Sequence, residues 1–196
     1  METRQTSSGP ANNAIYQLKI TLWGSKPPIW RRVQTPGSTT LAGLHHIIQV
    51  AMGWEDYHLH QFSIGGVIYG APEPDLDDLA FEMKDERRAR LDKVAPEVGS
   101  KFTYQYDFGD GWDHTILVEK ILEPEPGVQY PRCLAGRRAC PPEDSGGVWG
   151  YDELIQTLKN PSDPEYAEMR EWVGDDFDPE AFSLDDVNAD LAALRG

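Results

Sequence analysis

FTYQYDFGDGWDHTI, Phe102 to Ile116, is the stretch on which the reading of this chain turns. Two runs of strand composition, 102–107 and 112–121, flank a Gly-Asp-Gly centre. Asp110-Gly111 is a hairpin signal, because both residue types accept the positive φ that a tight type I′ turn requires. With Asp110-Gly111 as the loop, Asp107 stands opposite His114. With Phe108 to Gly111 as the loop, Gln105 does. In both registers Thr103, Gln105, Asp107, Trp112, His114, Ile116 and Val118 share one face, because strand side chains alternate. The hairpin therefore predicts an acid and an imidazole on one mixed face, which a strand that only fills a core does not need.

Upstream, Ala14 to Trp23 (AIYQLKITLW) alternates apolar and polar positions and predicts a strand with one buried face. Ile29 to Val33 predicts a second strand that pairs with it. Ser38, Thr39 and Thr40 offer N-caps to an amphipathic helix, Leu41 to Met52, closed by Gly53. His45 and His46 fall at the edge of its apolar stripe and off it, so both are expected half-buried or exposed. His58 to Ile64 and Val67 to Tyr69, joined at Gly65-Gly66, complete a ββαββ start. The acidic, Pro-punctuated run 71–87 predicts a long loop with a helical turn, and Leu91 to Val94 a short strand. Residues 128–150 hold both cysteines and many Gly, Pro and Arg residues. A loop that long inside a compact domain points to a binding surface. Acidic helices follow over 149–195: Trp149–Lys159, one opened by Asp163-Pro164, and Leu184–Arg195 capped by Ser183. The fold class is α+β, a single domain over 14–196 with a mostly antiparallel sheet and a C-terminal helical segment. Residues 1–13 are expected to be a disordered tail.

The 196 residues carry a net charge of −15, unevenly spread. Residues 1–70 are net +2, 71–140 net −5 and 141–196 net −12. An acidic surface repels phosphate backbones, which disfavours nucleic-acid binding outside the first third. No run reaches the roughly 20 apolar residues of a membrane span, and the N-terminus has no apolar signal segment. Two cysteines are too few for a disulfide scaffold, so a cytoplasmic chain is expected. The expected partner is a protein or a small molecule.

Four sets of residues carry candidate chemistry. His58 and His60, two apart on a strand, point their rings to one side. Asp107, Asp110, Asp113 and His114 cluster in the hairpin, with Trp112 beside them, where a carboxylate can set a histidine tautomer for metal binding or proton transfer. Cys133 and Cys140, wider apart than in common zinc modules, precede Pro141-Pro-Glu-Asp144, and with His58, His60 or His114 they could complete a tetrahedral zinc site. The pairs Arg31-Arg32 and Arg137-Arg138 could each hold an anion. Arg138 and Asp144 belong to the long loop. Each set also has a structural explanation: turn chemistry for Asp110, hydrogen-bonded histidines, inert thiols and surface arginines. Asp-Phe-Gly matches the kinase magnesium triplet only by letters, since no Gly-rich loop or catalytic-loop motif accompanies it. No P-loop, dinucleotide fingerprint, HExxH or Gly-x-Ser-x-Gly elbow is present.

PPIWRRV (27–33), LHHIIQVAMGWEDYHLHQFSIGG (44–66), FTYQYDFGDGWDH (102–114), CLAGRRACPPEDSGGVWGYDEL (133–154) and DFDPEAFSLDDVN (176–188) together resemble the plasmid ORF-three family. Its members are also labelled insertion-element passenger proteins of TnpR type. The resemblance covers nearly everything from residue 14 onward. It implies a compact α+β domain with no established activity and a genetic neighbourhood in mobile DNA. The serine-recombinase pattern is absent. Family members often carry a third cysteine where this chain has Ser145, which argues against a site of three thiolates. On these grounds the sequence favours an interaction module, with a metal-binding domain or metal-dependent enzyme, and an accessory factor in DNA transposition, as the alternatives.

Overall fold

A computed structural model of the chain describes residues 13–71 and 83–195. The N-terminal tail up to residue 12 and most of the acidic run 71–87 lie outside them. The order of elements is β1 (Ile15–Leu22), β2 (Trp30–Pro36), α1 (Leu41–Met52), β3 (His60–Ile64), β4 (Val67–Gly70), β5 (Lys84–Asp85), a 3-10 turn (Glu86–Arg88), α2 (Leu91–Val94), β6 (Lys101–Tyr106), β7 (Trp112–Leu122), β8 (Arg132–Arg137), α3 (Gly147–Lys159), α4 (Tyr166–Val173) and α5 (Leu184–Ala193). The strands form one eight-stranded sheet in the order β5-β4-β3-β6-β7-β1-β2-β8. Every pairing is antiparallel except β4–β5. The α+β class, the ββαββ start and the β1–β2 pair agree with the sequence. Among the described residues no helix is long and apolar enough to cross a membrane.

Alternation in β1 buries Tyr16, Leu18, Ile20 and Leu22 on one face. Helix α1 closes over the core with Leu41, Leu44, Ile48 and Ala51. Each leucine or isoleucine among them contributes about 1.5–3 kcal/mol on full burial. Thr40 caps the helix by accepting the Gly43 amide at 3.1 Å, and Gly53 ends it in the left-handed conformation.

The hairpin corrects both expected registers. Its loop is Asp107 to Gly111, so Tyr106 pairs with Trp112, Gln105 with Asp113 and Tyr104 with His114. Asp107, not Asp110, takes the left-handed conformation (φ 53°), together with Gly111. The Asp107 carbonyl accepts the Gly111 amide at 2.7 Å, and its Oδ1 accepts the Gly109 amide at 2.8 Å. This local turn adds the residue that flips the parity of β6. The driving force is burial: Phe102, Tyr104 and Tyr106 go inside with Trp112, His114, Ile116 and Val118, while Thr103 and Gln105 turn away.

Three further expectations change. The supposed loop 128–150 contains strand β8, which pairs with β2 and places Cys133 beside Val33. Leu91 to Val94 is a helical turn, not a strand. His45 is fully enclosed, and β3 begins at His60, leaving His58 in the segment before it.

Arg31 is a buried cation with no acidic partner among the described residues. Its Nε donates to the Ala51 carbonyl (2.6 Å), Nη1 to those of Trp30 (2.9 Å) and Arg137 (3.0 Å), and Nη2 to those of Met52 (3.3 Å) and Arg138 (2.9 Å). Its plane stacks on Phe182 at 4.6 Å. One guanidinium thereby ties the C-terminal end of α1 to the end of β8. Burial presses its pKa down, but the carbonyl oxygens of a helix C-terminus favour a cation. Arg31→Lys is expected to lower unfolding free energy by at least about 2 kcal/mol, because a point charge cannot reach the same forked set of acceptors and leaves buried carbonyls unpaired. Urea unfolding curves of the two proteins measure this directly.

Candidate functional site

Three turns meet at one end of the sheet: 54–59 between α1 and β3, the hairpin loop 107–111, and 138–146 between β8 and α3. Each is held by bonds to the others. The Asp107 amide donates to the Leu59 carbonyl at 2.9 Å. Glu143 Oε1 accepts the Glu55 amide at 2.9 Å and the Tyr106 hydroxyl at 3.0 Å. That hydroxyl also accepts the Tyr57 amide at 3.0 Å. Asp110 Oδ2 accepts the Gly146 amide at 3.0 Å. Gly147 lies so close against the Asp110 carbonyl that any side chain there would collide with it.

The segment 54–58 is also fixed from below. The Gln49 amide donates to the Tyr104 hydroxyl at 2.8 Å, which donates to His45 Nδ1 at 2.8 Å. His45 Nε2–H then donates to Asp56 Oδ1 at 2.9 Å, and the Asp56 amide returns to Gln49 Oε1 at 3.0 Å. This closed circuit holds Asp56 in a left-handed conformation (φ 59°) and delivers the next residues, Tyr57 and His58, to the junction.

At the junction, His58 Nε2 faces three carboxylates. It lies 3.4 Å from Asp144 Oδ1, 3.7 Å from Asp107 Oδ2 and 3.8 Å from Glu143 Oε2. His58, Asp107 and Asp144 each bring one ligand atom within 4.8 Å of the others. Among the described residues, His58 Nε2 and Glu143 Oε2 are buried atoms without a hydrogen-bond partner. The other oxygens of Asp107 and Glu143 are already bonded, to Gly109, Tyr106 and Glu55, which aims their free oxygens at the imidazole. Asp107 and Asp144 both hold left-handed backbone (φ 53° and 55°), a conformation that costs a non-glycine residue about 1–2 kcal/mol. Strain of this kind concentrates at functional sites.

Asp107 and Glu143, at 3.7 and 3.8 Å, lie beyond hydrogen-bond reach, and the 3.4 Å contact with Asp144 is not a hydrogen bond either. Such separations suit atoms that share a cation: bonds of about 2.0–2.2 Å in tetrahedral geometry place ligand atoms about 3.3–3.6 Å from one another. A second group, His45, His46 and Asp56, also brings three potential ligand atoms together, but there the buried imidazole is already hydrogen-bonded at 2.9 Å.

The metal ligands suggested by sequence do not assemble into one site. Only His58 stands at the junction. His60 bonds Glu86 at 2.9 Å and stacks flat on His45, ring centroids 3.5 Å apart. His114 is sealed in the core, where its Nδ1–H donates to the Trp112 carbonyl at 2.9 Å and its Nε2 accepts Trp54 Nε1–H at 3.5 Å. The expected Asp107–His114 pair therefore does not form. Cys133 and Cys140 are free thiols, both pushed up by burial, Cys140 strongly. Neither belongs to a set of ligands among the described residues. Trp112 is fully buried and packs on Trp54. Arg138 is buried, donates to the Pro27 carbonyl at 3.0 Å and pairs with Glu180 at 2.8 Å. Asp110 ties the hairpin loop to Gly146, and Asp144 joins the cluster. Glu143 completes the cluster although the sequence does not single it out; its signal is the Pro-Pro-Glu-Asp run after Cys140.

The sequence pattern of the plasmid pRiA4b ORF-3-like proteins matches residues 14–186. The chain belongs to that family. It is 39% identical over 185 residues to the uncharacterised protein y4hQ of Sinorhizobium fredii (strain NBRC 101917 / NGR234), across 92% of this chain and 93% of that protein. Its fold is similar to the crystal structure of MM3350, a protein of unknown function from Methanosarcina mazei Go1. The TM-score is 0.81 at 42% identity, covering 90% of this chain and 98% of the other. The family is thus one of uncharacterised proteins, and the function of this member has to be argued from its site.

The histidines beneath the site also set a pH dependence. Burial lowers the pKa of both His114 and His45 to about 4, with the nearby His60 adding to the effect at His45. Unfolding frees each to titrate near 6.5, so between about pH 6.5 and 4 the unfolded chain binds protons that the native chain does not. Stability is therefore full above pH 6.5 and is expected to fall by up to about 1.4 kcal/mol per pH unit for each histidine, levelling off below about pH 4 as far as these two groups are concerned. Denaturation midpoints from pH 7.5 to 4 measure the slope, and a flat profile would rule this account out.

Proposed function

We propose that the protein is a divalent-cation-binding module whose ligands are His58, Asp107 and Asp144, with Glu143 as fourth donor. The observation that supports this best is the buried, unpartnered His58 Nε2 enclosed by three carboxylate oxygens at 3.4–3.8 Å. Of the readings open from sequence, interaction module or metal-binding domain, this geometry favours the second, with a ligand set different from the His/Cys set the sequence suggested.

One imidazole and three carboxylates make a hard-to-borderline donor set, suited to Zn2+, Mn2+ or Fe2+ rather than to thiophilic ions. Tyr106, Gly109 and Glu55 hold the carboxylates from behind, as outer partners do in metal sites. Asp144 is the exposed ligand, with three quarters of its side chain open to solvent. It is the one a water molecule or a substrate group can displace. A cation at that position would present a Lewis-acid face to solvent, and chemistry of the hydrolytic type needs such an open position.

Zn2+ and Mn2+ titrated into chelator-treated protein are expected to bind at one equivalent and to raise the unfolding temperature. Stabilisation should reach about 2.7 kcal/mol at a free-metal concentration of 100 times Kd. His58→Ala and Asp107→Asn should abolish both signals, and Tyr106→Phe should weaken binding about 10- to 100-fold by releasing Glu143. Unchanged binding in His58→Ala, or no thermal shift with either metal, would contradict the proposal.

A further inference from the structure

A groove of about 470 Å3 lies between α3 and α4, beside the junction. From α3 it is lined by Glu153, Leu154 and Thr157, and from the α4 side by Glu165, Glu168, Met169 and Trp172. These residues repeat at helical spacing, so two stripes face each other across the groove. Asp144 also lines it and is a member of the His58 cluster. No lysine or arginine lines it. Trp172, on α4, is 47% exposed, and the region 141–196 carries net −12.

We propose that this groove docks a lysine-bearing peptide segment of a partner protein. The chemistry of the walls selects the occupant. Leu154, Met169 and Trp172 offer an apolar channel to the methylene stem of a lysine, while Glu153, Glu165 and Glu168 meet its ammonium. The exposed Trp172 face adds a cation–π contact. An anionic or purely apolar ligand would leave the carboxylates repelled or desolvated without a partner. This inference stands independently of the cation reading and holds for metal-free protein.

The test is isothermal titration of the whole chain, in EDTA and about 0.15 M salt, with a short capped peptide of alternating lysine and glycine. Binding is expected to weaken about tenfold in Glu165→Gln/Glu168→Gln and in Trp172→Ala. In Asp185→Asn/Asp190→Asn, which removes the same charge from exposed positions of α5, it should change less than about twofold. Circular dichroism shows whether each variant keeps its fold. Equal weakening in the groove and α5 charge variants would mean that the peptide sees only the overall negative charge, and would overturn the proposal. So would an affinity for N-acetyl-lysine amide matching that of the peptide, which would assign the groove to free amines. Because EDTA is present throughout, a failure here leaves the Zn2+ and Mn2+ titrations untouched, and the reverse also holds.

Discussion

The junction depends on where one buried guanidinium puts the backbone around it. Arg31 spends its donors on five carbonyl oxygens, two from the last turn of α1, one of its own strand and two from the end of β8. Those two chain ends lead directly into the segments that carry His58 and Glu143-Asp144. Without that clamp, nothing in the sheet hydrogen bonds would fix the distance between the end of the helix and the end of the edge strand. A carboxylate partner would have satisfied the charge but not the geometry. A helix C-terminus satisfies both, because its last carbonyls are unpaired and its dipole is negative there.

A second constraint is the aromatic and imidazole layer beneath the junction. Trp54, Tyr104, Tyr106, Trp112 and His114 are buried together; the polar side-chain atoms of Tyr104, Tyr106 and His114 are hydrogen-bonded within the protein, while Trp112 Nε1 is buried without a partner among the described residues. Tyr106 is the link to the surface: its ring belongs to the core and its hydroxyl holds Glu143. Burial and the neighbouring carboxylate keep that hydroxyl protonated well past the usual tyrosine range, so it remains a donor at any working pH. Core packing and carboxylate orientation are thus set by the same side chain.

The elements with strong periodicity were legible in the sequence. β1, β2, α1 with its Thr40 and Gly53 caps, and α5 with its Ser183 cap follow from alternation, amphipathic spacing and capping chemistry. Local signals failed where tertiary burial outweighed them. Gly-Asp-Gly reads as a tight turn, yet three aromatic residues on β6 face inward, and the five-residue loop Asp107 to Gly111 sets that parity. Edge strand β8 hides in a stretch of Gly, Pro and Arg because it is held by pairing with β2 and by Asn188, whose side chain bonds the Cys133 amide and carbonyl. At the site, the composition named histidines and cysteines as ligands, while the structure uses one histidine and carboxylates that looked like ordinary acidic loop residues. His60 and His114 could not be told from ligands by spacing, because whether an imidazole is already bonded depends on Glu86, Trp112 and Trp54, remote from it or buried in the fold.

Anomalous diffraction from a crystal soaked in Mn2+ or Zn2+ would locate a cation at His58. One strong peak is expected about 2.0–2.3 Å from His58 Nε2 and from the free oxygens of Asp107 and Asp144, with Glu143 Oε2 beside it. A peak at the cysteines or at His60, or no ordered metal at His58, would contradict that placement.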